Sequence, residues 1–530
     1  MNLRNYNIYF HTHTISGIII TAVLYVIFFA GSFSFFKQEI SNWQKDTPGA
    51  VNGNLNYDQI IDSVGRKYNL YGREVSLYSQ PHSAKVNVYV SDSKDTVNNK
   101  EAGSFFYLNP QTFTMQDYQT SYDLGEFLYR LHFLAQIKYP VGYYLAGGVA
   151  FIFLFALLTG LLVHWQKIVS NFYIFRPWEK LKTVWTDLHT ALGVISFPYM
   201  FVFAVTGAYF LISYPLFTKP VTATHFNGSQ DSLYAALGYG GHDFELENKR
   251  VGKTIHVNDF VKQAKEKWGS GVSINHVEVI NYGDQSMQVH IAGLADMKKK
   301  FTSSGELVFD AEGNILKHTD PSASSSYTDV VQNLIYTLHF GSYGGYATKI
   351  LYFLLGISGC VVIISGVLIW LVARDKKNIP EKKRKFNFWL ANIYLGICLS
   401  MFPVTAAAFI AVKLNPEGGM SYIYKFYFLT WLVMSILLVA RRDLYKTNRD
   451  CMLAGSLIGI CVPVVNGMMT GNWIWNSYKN GYHDILLIDM FWIMVSVGAF
   501  ICWRLIVKKH EKNAALTPAT APATNVAASL

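Results

Sequence analysis

Residues 13–36 read HTISGIIITAVLYVIFFAGSFSFF, and residues 189–212 read HTALGVISFPYMFVFAVTGAYFLI. Each stretch opens on a histidine, has glycine four residues later, and runs on uncharged for longer than the roughly 18 residues that mark a membrane-crossing helix. Shifting the chain by 176 residues lays His13 on His189, Gly17 on Gly193 and Gly31 on Gly207. A second phrase, Tyr129-x-Leu131-His132-Phe133, returns 207 residues later as Tyr336-x-Leu338-His339-Phe340. Internal repetition on this scale marks duplicated architecture. Imidazoles at the edges of apolar segments serve as interface anchors or as metal ligands, and four of them in a duplicated pattern favour the ligand.

Working outward, the 530-residue chain is 51% hydrophobic and 15% aromatic. The predicted fold is a polytopic α-helical membrane protein of about eight transmembrane helices with two small α+β domains outside the bilayer. The expected layout is a first span within 1–36, a soluble domain 37–140, a span 141–165, a loop 166–189, a span 190–214, a second soluble domain 215–345 and a span 346–373. A basic loop 374–387, a block of four spans over 388–507 and a disordered tail 508–530 follow. The first span is read as a retained anchor, since no small-residue cleavage site follows it.

The net charge of +10 is placed by topology. Seven basic residues lie between Arg374 and Lys385, four more (Lys167, Arg176, Lys180, Lys182) follow the second span, and Arg441, Arg442, Lys446 and Arg449 follow the sixth. Basic loops mark the cytoplasmic side. Both termini are therefore expected inside and both soluble domains outside, with no nucleic-acid partner and lipid as the surroundings. The five cysteines sit in or beside spans with no CxxC or CxxCH spacing, which supports neither a disulfide framework nor covalently attached haem.

The two soluble stretches read alike: a helix at Tyr57–Lys67 before strands at Lys85–Val90 and Phe105–Leu108, then a helix at Val257–Lys267 before strands at Val277–Ile280, Ser286–Ile291, Glu306–Phe309 and Ile315–His318. Because an even number of spans separates the copies, they share one orientation, and a pseudo-twofold axis along the membrane normal is expected to relate them. The last four spans have no counterpart in the repeat and are read as a separate block.

Residues 18 apart on a helix face the same way, so Gly31 shares a face with His13 and Gly207 with His189, and Gly17 and Gly193 extend those faces. Glycine there permits close helix packing or the flat approach of a porphyrin. A b-type haem takes two neutral imidazoles on opposite sides of its ring. The symmetric reading pairs His132 with His339 on an outer haem and His13 with His189 on an inner one, two haems b in all. His164 breaks the symmetry: it follows Gly160 by four residues, whereas Trp370 stands four after Gly366, so it competes for the inner pair. His11 is read as a surface residue, Arg176 and Asp187 as solvated loop charges in preference to holders of haem propionates, and His82, His225, His242, His256, His276, His290 and His318 as ordinary surface or strand residues.

The run His164-x-x-x-Ile168-x-x-x-Phe172-x-x-Phe175-Arg176-Pro177, then Trp185-x-Asp187-x-His189-x-x-x-Gly193, resembles the signature of the PepSY-associated transmembrane family. So do His13-Thr14-x-x-Gly17 with Gly31-Ser32-Phe33-Ser34-Phe35-Phe36-Lys37-x-Glu39, and the fourth span from Leu338-His339-Phe340 to Trp370. The likeness covers about residues 8–375. It implies periplasmic PepSY domains, a bacterial inner-membrane location and kinship with haem-containing reductases of ferric siderophores. Two features depart from the pattern: Gln136 stands where relatives often have a second histidine, and residues 388–507 fall outside it.

The expected function is haem-b electron transfer outward across the membrane, reducing a ferric siderophore or other ferric chelate. No dinucleotide fingerprint follows a strand, so a cytoplasmic reductase or quinol is the expected electron donor. The alternative is a non-enzymatic PepSY binding or sensing protein with structural histidines. A transporter built on the last four spans gains little from Lys413, the one ionisable residue noted there, at a span edge.

Overall fold

A computed structural model describes all residues except 1, 48–54, 80–82, 84, 95–100, 174, 180, 237–244, 270, 296–300, 302–303, 324–325 and 516–530. Lys180, His82, His242 and the tail beyond residue 515 lie outside the described residues.

In chain order the helices are α1 (Leu3–Ser34), α2 (Lys37–Lys45), α3 (Tyr57–Gly65), α4 (Leu124–His132), α5 (Val141–His164), α6 (Ile168–Tyr173), α7 (Leu181–Ser213), α8 (Lys219–His225) and α9 (Gln230–Ala236). There follow α10 (Val257–Trp268), α11 (Tyr327–Phe340), α12 (Gly345–Arg374), α13 (Glu381–Leu414), α14 (Gly419–Arg441), α15 (Leu444–Thr470), α16 (Ile474–Lys479) and α17 (His483–Ala515). The strands are β1 (Val75–Ser79), β2 (Val86–Val90), β3 (Ser104–Leu108), β4 (Met115–Asp117), β5 (Val272–Ile280), β6 (Gln288–Ala295), β7 (Gly305–Asp310) and β8 (Ile315–Thr319). Among the described residues, eight helices are long and apolar enough to cross a membrane, one over each stretch where the sequence places a span, so this is a multi-pass membrane protein.

The chain divides into two compact units. One holds residues 1–46, 123–213 and 349–530, which are all the apolar helical stretches together with α2 and α4. Within it α1 packs on α5 and α5 on α7, while α13 packs on α14 and α15, and α15 on α17. The last four spans are not a separate block. Val367, Leu368 and Leu371 of α12 share one apolar cluster with Ala391, Leu395 and Leu399 of α13, and Ile18 of α1 packs against it. Tyr394 seals the seam by donating its hydroxyl to the carbonyl of Ile18 at 2.9 Å. The most apolar window of α13 is 83% buried against 22% for α5, so α13 is a core helix of the unit.

The other unit holds residues 47–122 and 214–348. Its eight strands form one antiparallel sheet in the order β4-β3-β2-β1-β5-β6-β7-β8. The two α+β halves are thus joined edge to edge, with Val75 opposite Val279 and Leu77 opposite Val277 where β1 meets β5. Pairing two half-sheets removes two exposed strand edges at once. Alternate strand residues, among them Val75, Leu77, Val88, Val277, Val289 and Leu307, face one layer where Ile60, Val64, Phe260 and Ala264 of α3 and α10 cover them. The two helix starts bond reciprocally: the Tyr57 N–H donates to Asn258 Oδ1 at 2.9 Å, and the Asn258 N–H donates to Asp58 Oδ1 at 3.1 Å. The first half carries two strands beyond those read from the sequence, β1 and the three-residue β4. Val75-Ser76-Leu77-Tyr78-Ser79 does alternate, but it is short and polar on one face.

Candidate functional site

Three of the four histidines singled out by the repeat are held by one device. His13 Nδ1 lies 2.8 Å from the carbonyl oxygen of Ala156 on α5, His189 Nδ1 2.8 Å from that of Val362 on α12, and His132 Nδ1 2.8 Å from that of Ile27 on α1. A carbonyl oxygen only accepts, so each Nδ1 carries the proton, and in the neutral ring the lone pair then sits on Nε2. At His132, burial pushes the imidazole below its ordinary value while the bond to Ile27 pulls the other way, which favours the neutral ring.

In each case a glycine stands four residues after the acceptor, one turn on, and the imidazole lies in the notch it leaves. A Cβ at Gly160 would come within 2.9 Å of His13 Cε1, one at Gly366 within 3.1 Å of His189 Cε1, and one at Gly31 within 2.5 Å of His132 Nδ1. The glycines therefore admit the rings to carbonyls that side chains would cover. Gly17 and Gly193, four residues after His13 and His189 on their own helices, are different, since a Cβ at either would meet no atom within 4 Å.

The structure brings His13 and His189 together, with ring centroids 6.0 Å apart and planes at 70°. His164, the last residue of α5, lies within electrostatic range of His189. His11 is exposed on α1. His339 is the penultimate residue of α11 in the sheet-bearing unit, edge-on to Phe340 at 5.5 Å. His132 and His339 thus fall in different compact units.

Asp187 is not a solvated loop charge, since it lies on α7, whereas the Arg176 that pairs with it is an exposed loop residue. Asp187 is buried, and it accepts from the Arg176 N–H and Nε at 3.0 Å through one oxygen and from Nη2 at 2.9 Å through the other. The clamp fixes the approach to α7 two residues before His189. Trp185, one turn before His189 on the same helix, has a buried indole N–H with no partner among the described residues. Sequence reading missed the carbonyl and glycine halves of the device. Its visible signal was that Gly160 and Gly366 hold corresponding positions in the two copies.

A second group of titratable side chains lies on the sheet face opposite α3 and α10. His276 stacks on Tyr78 at 4.0 Å and 6°, and Ser76 Oγ stands 3.0 Å from both Glu74 and Glu278. Burial and a hydrogen-bonded Glu74 carboxyl push Glu278 up to about 7, and burial pulls His276 down to about 4. Glu306 is held down to about 2 by the hydrogen bond from His290 and by Lys317. Among the described residues, no group of three or more His, Cys, Asp and Glu side chains converges to hold a bare metal ion.

A family model described as the PepSY-associated TM region matches residues 10–373, which span the first soluble stretch, the second and all three notched histidines. No curated protein matches the chain.

Proposed function

We propose that this chain, which belongs to the PepSY-associated transmembrane family, is a haem-b electron carrier that delivers electrons through the membrane to a ferric siderophore or similar ferric chelate. The observation that carries this reading is the His13–His189 pair. Two imidazoles on one metal, with bonds of about 2 Å each, have ring centres about 6 Å apart, and the rings here are 6.0 Å apart. The donor set fits as well: two neutral imidazoles with Nδ1 protonated present Nε2 as the ligand atom, and the carbonyl on Nδ1 fixes tautomer and ring orientation. The open flanks of Gly17 and Gly193 suit a flat ring, and the spare N–H of Trp185 suits an anionic edge.

Haem, when bound, supplies one-electron transfer, and ligand identity and burial tune its potential. This chain's residues do the rest. Ala156 and Val362 hold the two imidazoles, Gly160 and Gly366 leave them room, and the Arg176–Asp187 clamp sets the start of α7. The sequence repeat supports a second, outer ligand at His132, which has the same carbonyl and glycine arrangement. The electron donor on this reading is a cytoplasmic reductase or quinol, and the location a bacterial inner membrane.

The test is the visible spectrum of the full-length protein made with ample haem. A Soret band with split α bands on reduction is expected, and His189→Ala should remove about half of it while His164→Ala leaves it. A wild-type protein without a Soret band would rule the reading out. Failure of ferric siderophores to reoxidise the reduced protein would remove the substrate alone.

A second reading, in which the sheet-bearing unit captures a ligand without redox chemistry, draws on the aromatic side chains of its open face. Tyr78, Tyr89 and Phe105 are 43%, 38% and 42% exposed. Binding of an apo-chelator by haem-free protein would favour it.

A further inference from the structure

The last four spans lie beyond the residues matched by the family model, and α2 is one element through which they reach the histidines. Six of its nine residues are buried, and four of those six, Glu39, Ser41, Asn42 and Gln44, are polar or charged. Toward α4, Ser41 Oγ donates to Asp123 Oδ2 at 2.6 Å, Gln44 Oε1 accepts from the Leu124 N–H at 2.8 Å, and Lys37 pairs with Glu126. Toward the last four spans, Asn42 Nδ2 donates to Asp484 Oδ2 at 2.7 Å and Trp43 Nε1 donates to Asp489 Oδ1 at 2.9 Å.

Asp489 is fully buried, and its second oxygen accepts from Asn466 Nδ2 on α15 at 2.8 Å. Lys413 of α13 is not at a solvated edge. It is 3% exposed, donates to the Trp43 carbonyl, and sits 4.6 Å from the centre of the Trp43 ring. Ionisable groups inside membrane segments are costly and are kept for a purpose. Both oxygens of Asp489 are committed to fixed donors on two different elements, an arrangement suited to holding rather than to relaying an ion.

The same spans grip α4 directly. Phe127 lies against Tyr424, Tyr427 and Phe428 of α14 at 5.5, 4.8 and 5.6 Å between ring centres. A helix of nine residues has no stability of its own in isolation, so its placement is set by what clamps it. His132 is the last residue of that helix.

We propose that the last four spans brace the outer histidine: Asp489 fixes Trp43, α2 and Phe127 fix α4, and α4 presents His132 to Ile27 and Gly31. Trp43 and Asp489 are positioning residues. The inference rests on the haem reading for its consequence, and on geometry alone for the brace.

The test uses full-length protein carrying Trp43→Phe or Asp489→Asn. In a redox titration, the wave that His132→Ala abolishes is expected to move or vanish in both variants, while the wave that His189→Ala abolishes stays. Mapping of diethyl pyrocarbonate modification reads the same position without haem: labelling of His132 should rise several-fold while His13 and His189 hold their wild-type rates. A wild-type protein that takes no haem defeats the proposed function, and the labelling then decides the brace by itself. Unchanged labelling and an unchanged wave at His132 would overturn it. Equal acceleration at all three histidines in both variants would show general loosening of the fold and would overturn it too.

Discussion

The molecule buries histidines in two places and treats them in opposite ways. His13 and His189 face each other, each with Nδ1 spent on a helix carbonyl and its ring in a glycine notch. His276 and His290 lie on a sheet face, one stacked on Tyr78 and the other 3.4 Å from Glu306. In both settings the histidines are partly or fully buried. The difference is in what holds the rings: the first pair is held by helix carbonyls at Nδ1, whereas the second set is tied to acids and aromatics of the sheet. Burial of histidine by itself is therefore a poor sign of ligation; the state of Nδ1 and the shape of the neighbouring backbone discriminate better.

The largest expected effect separates the two settings outright. Gly31→Val puts a branched side chain where a Cβ already falls 2.5 Å from His132 Nδ1, and Gly160→Val crowds His13 from 2.9 Å. Overpacking of this kind costs about 1–3 kcal/mol, and each variant should lose the haem signal of its own histidine, read as Soret absorbance per protein, while retaining the other. His276→Phe keeps the stack on Tyr78 and should leave the spectrum untouched; a loss of Soret absorbance there would collapse the distinction.

Next in size is Gly17→Leu. A Cβ at Gly17 meets no protein atom, so the thermal midpoint of haem-free protein should stay within a degree or two of wild type while haem content falls. An unchanged haem content would show that nothing lies flat on that face.

The smallest effect is a pH dependence confined to the sheet. Glu278 is raised from 4.5 to about 7, so its contribution is complete below 4.5 and lost as pH rises through 7. His276 is lowered from 6.5 to about 4, so its contribution is complete above 6.5 and lost as pH falls through 4. Between about 4.5 and 6.5 the two oppose each other and flatten the profile. Glu278→Gln should remove the alkaline loss and expose the acid one, a change on the order of 2 kcal/mol, measured as hydrogen-exchange opening of β5 and β6 in the full-length protein. A variant profile that still falls above pH 7 would show that Glu278 is not the group responsible. Glu306, lowered from 4.5 to about 2, adds a further loss only as pH falls from 4.5 toward 2.

Much of this was legible in the chain. Eight apolar runs appear as eight helices, because a segment that must satisfy its own backbone in lipid has little choice but to be helical. The repeat located four histidines, three of which share one device. Gly31 was visible as a partner of the pattern, but as a neighbour of His13 on its own helix; the ring it receives is that of His132, from α4. The acceptors Ala156, Val362 and Ile27 were invisible, since a backbone carbonyl has no sequence signature. Asp484 and Asp489 passed unnoticed beside the apolar run of α17, and Lys413 looked like an edge residue, because burial of a charge depends on partners hundreds of positions away.

By itself the sequence determined how many times the chain crosses the membrane, that its core is a duplicated unit, and which histidines recur, since these follow from apolar length and internal self-similarity. Only the tertiary structure decided which histidines meet, that two half-sheets share one ladder through β1 and β5, and that the unmatched last four spans grip α2 and α4. The physical reason is one of range: length and periodicity are properties of neighbours along the chain, while ring contacts, strand register and buried charge pairs join residues such as Trp43 and Asp489, 446 positions apart.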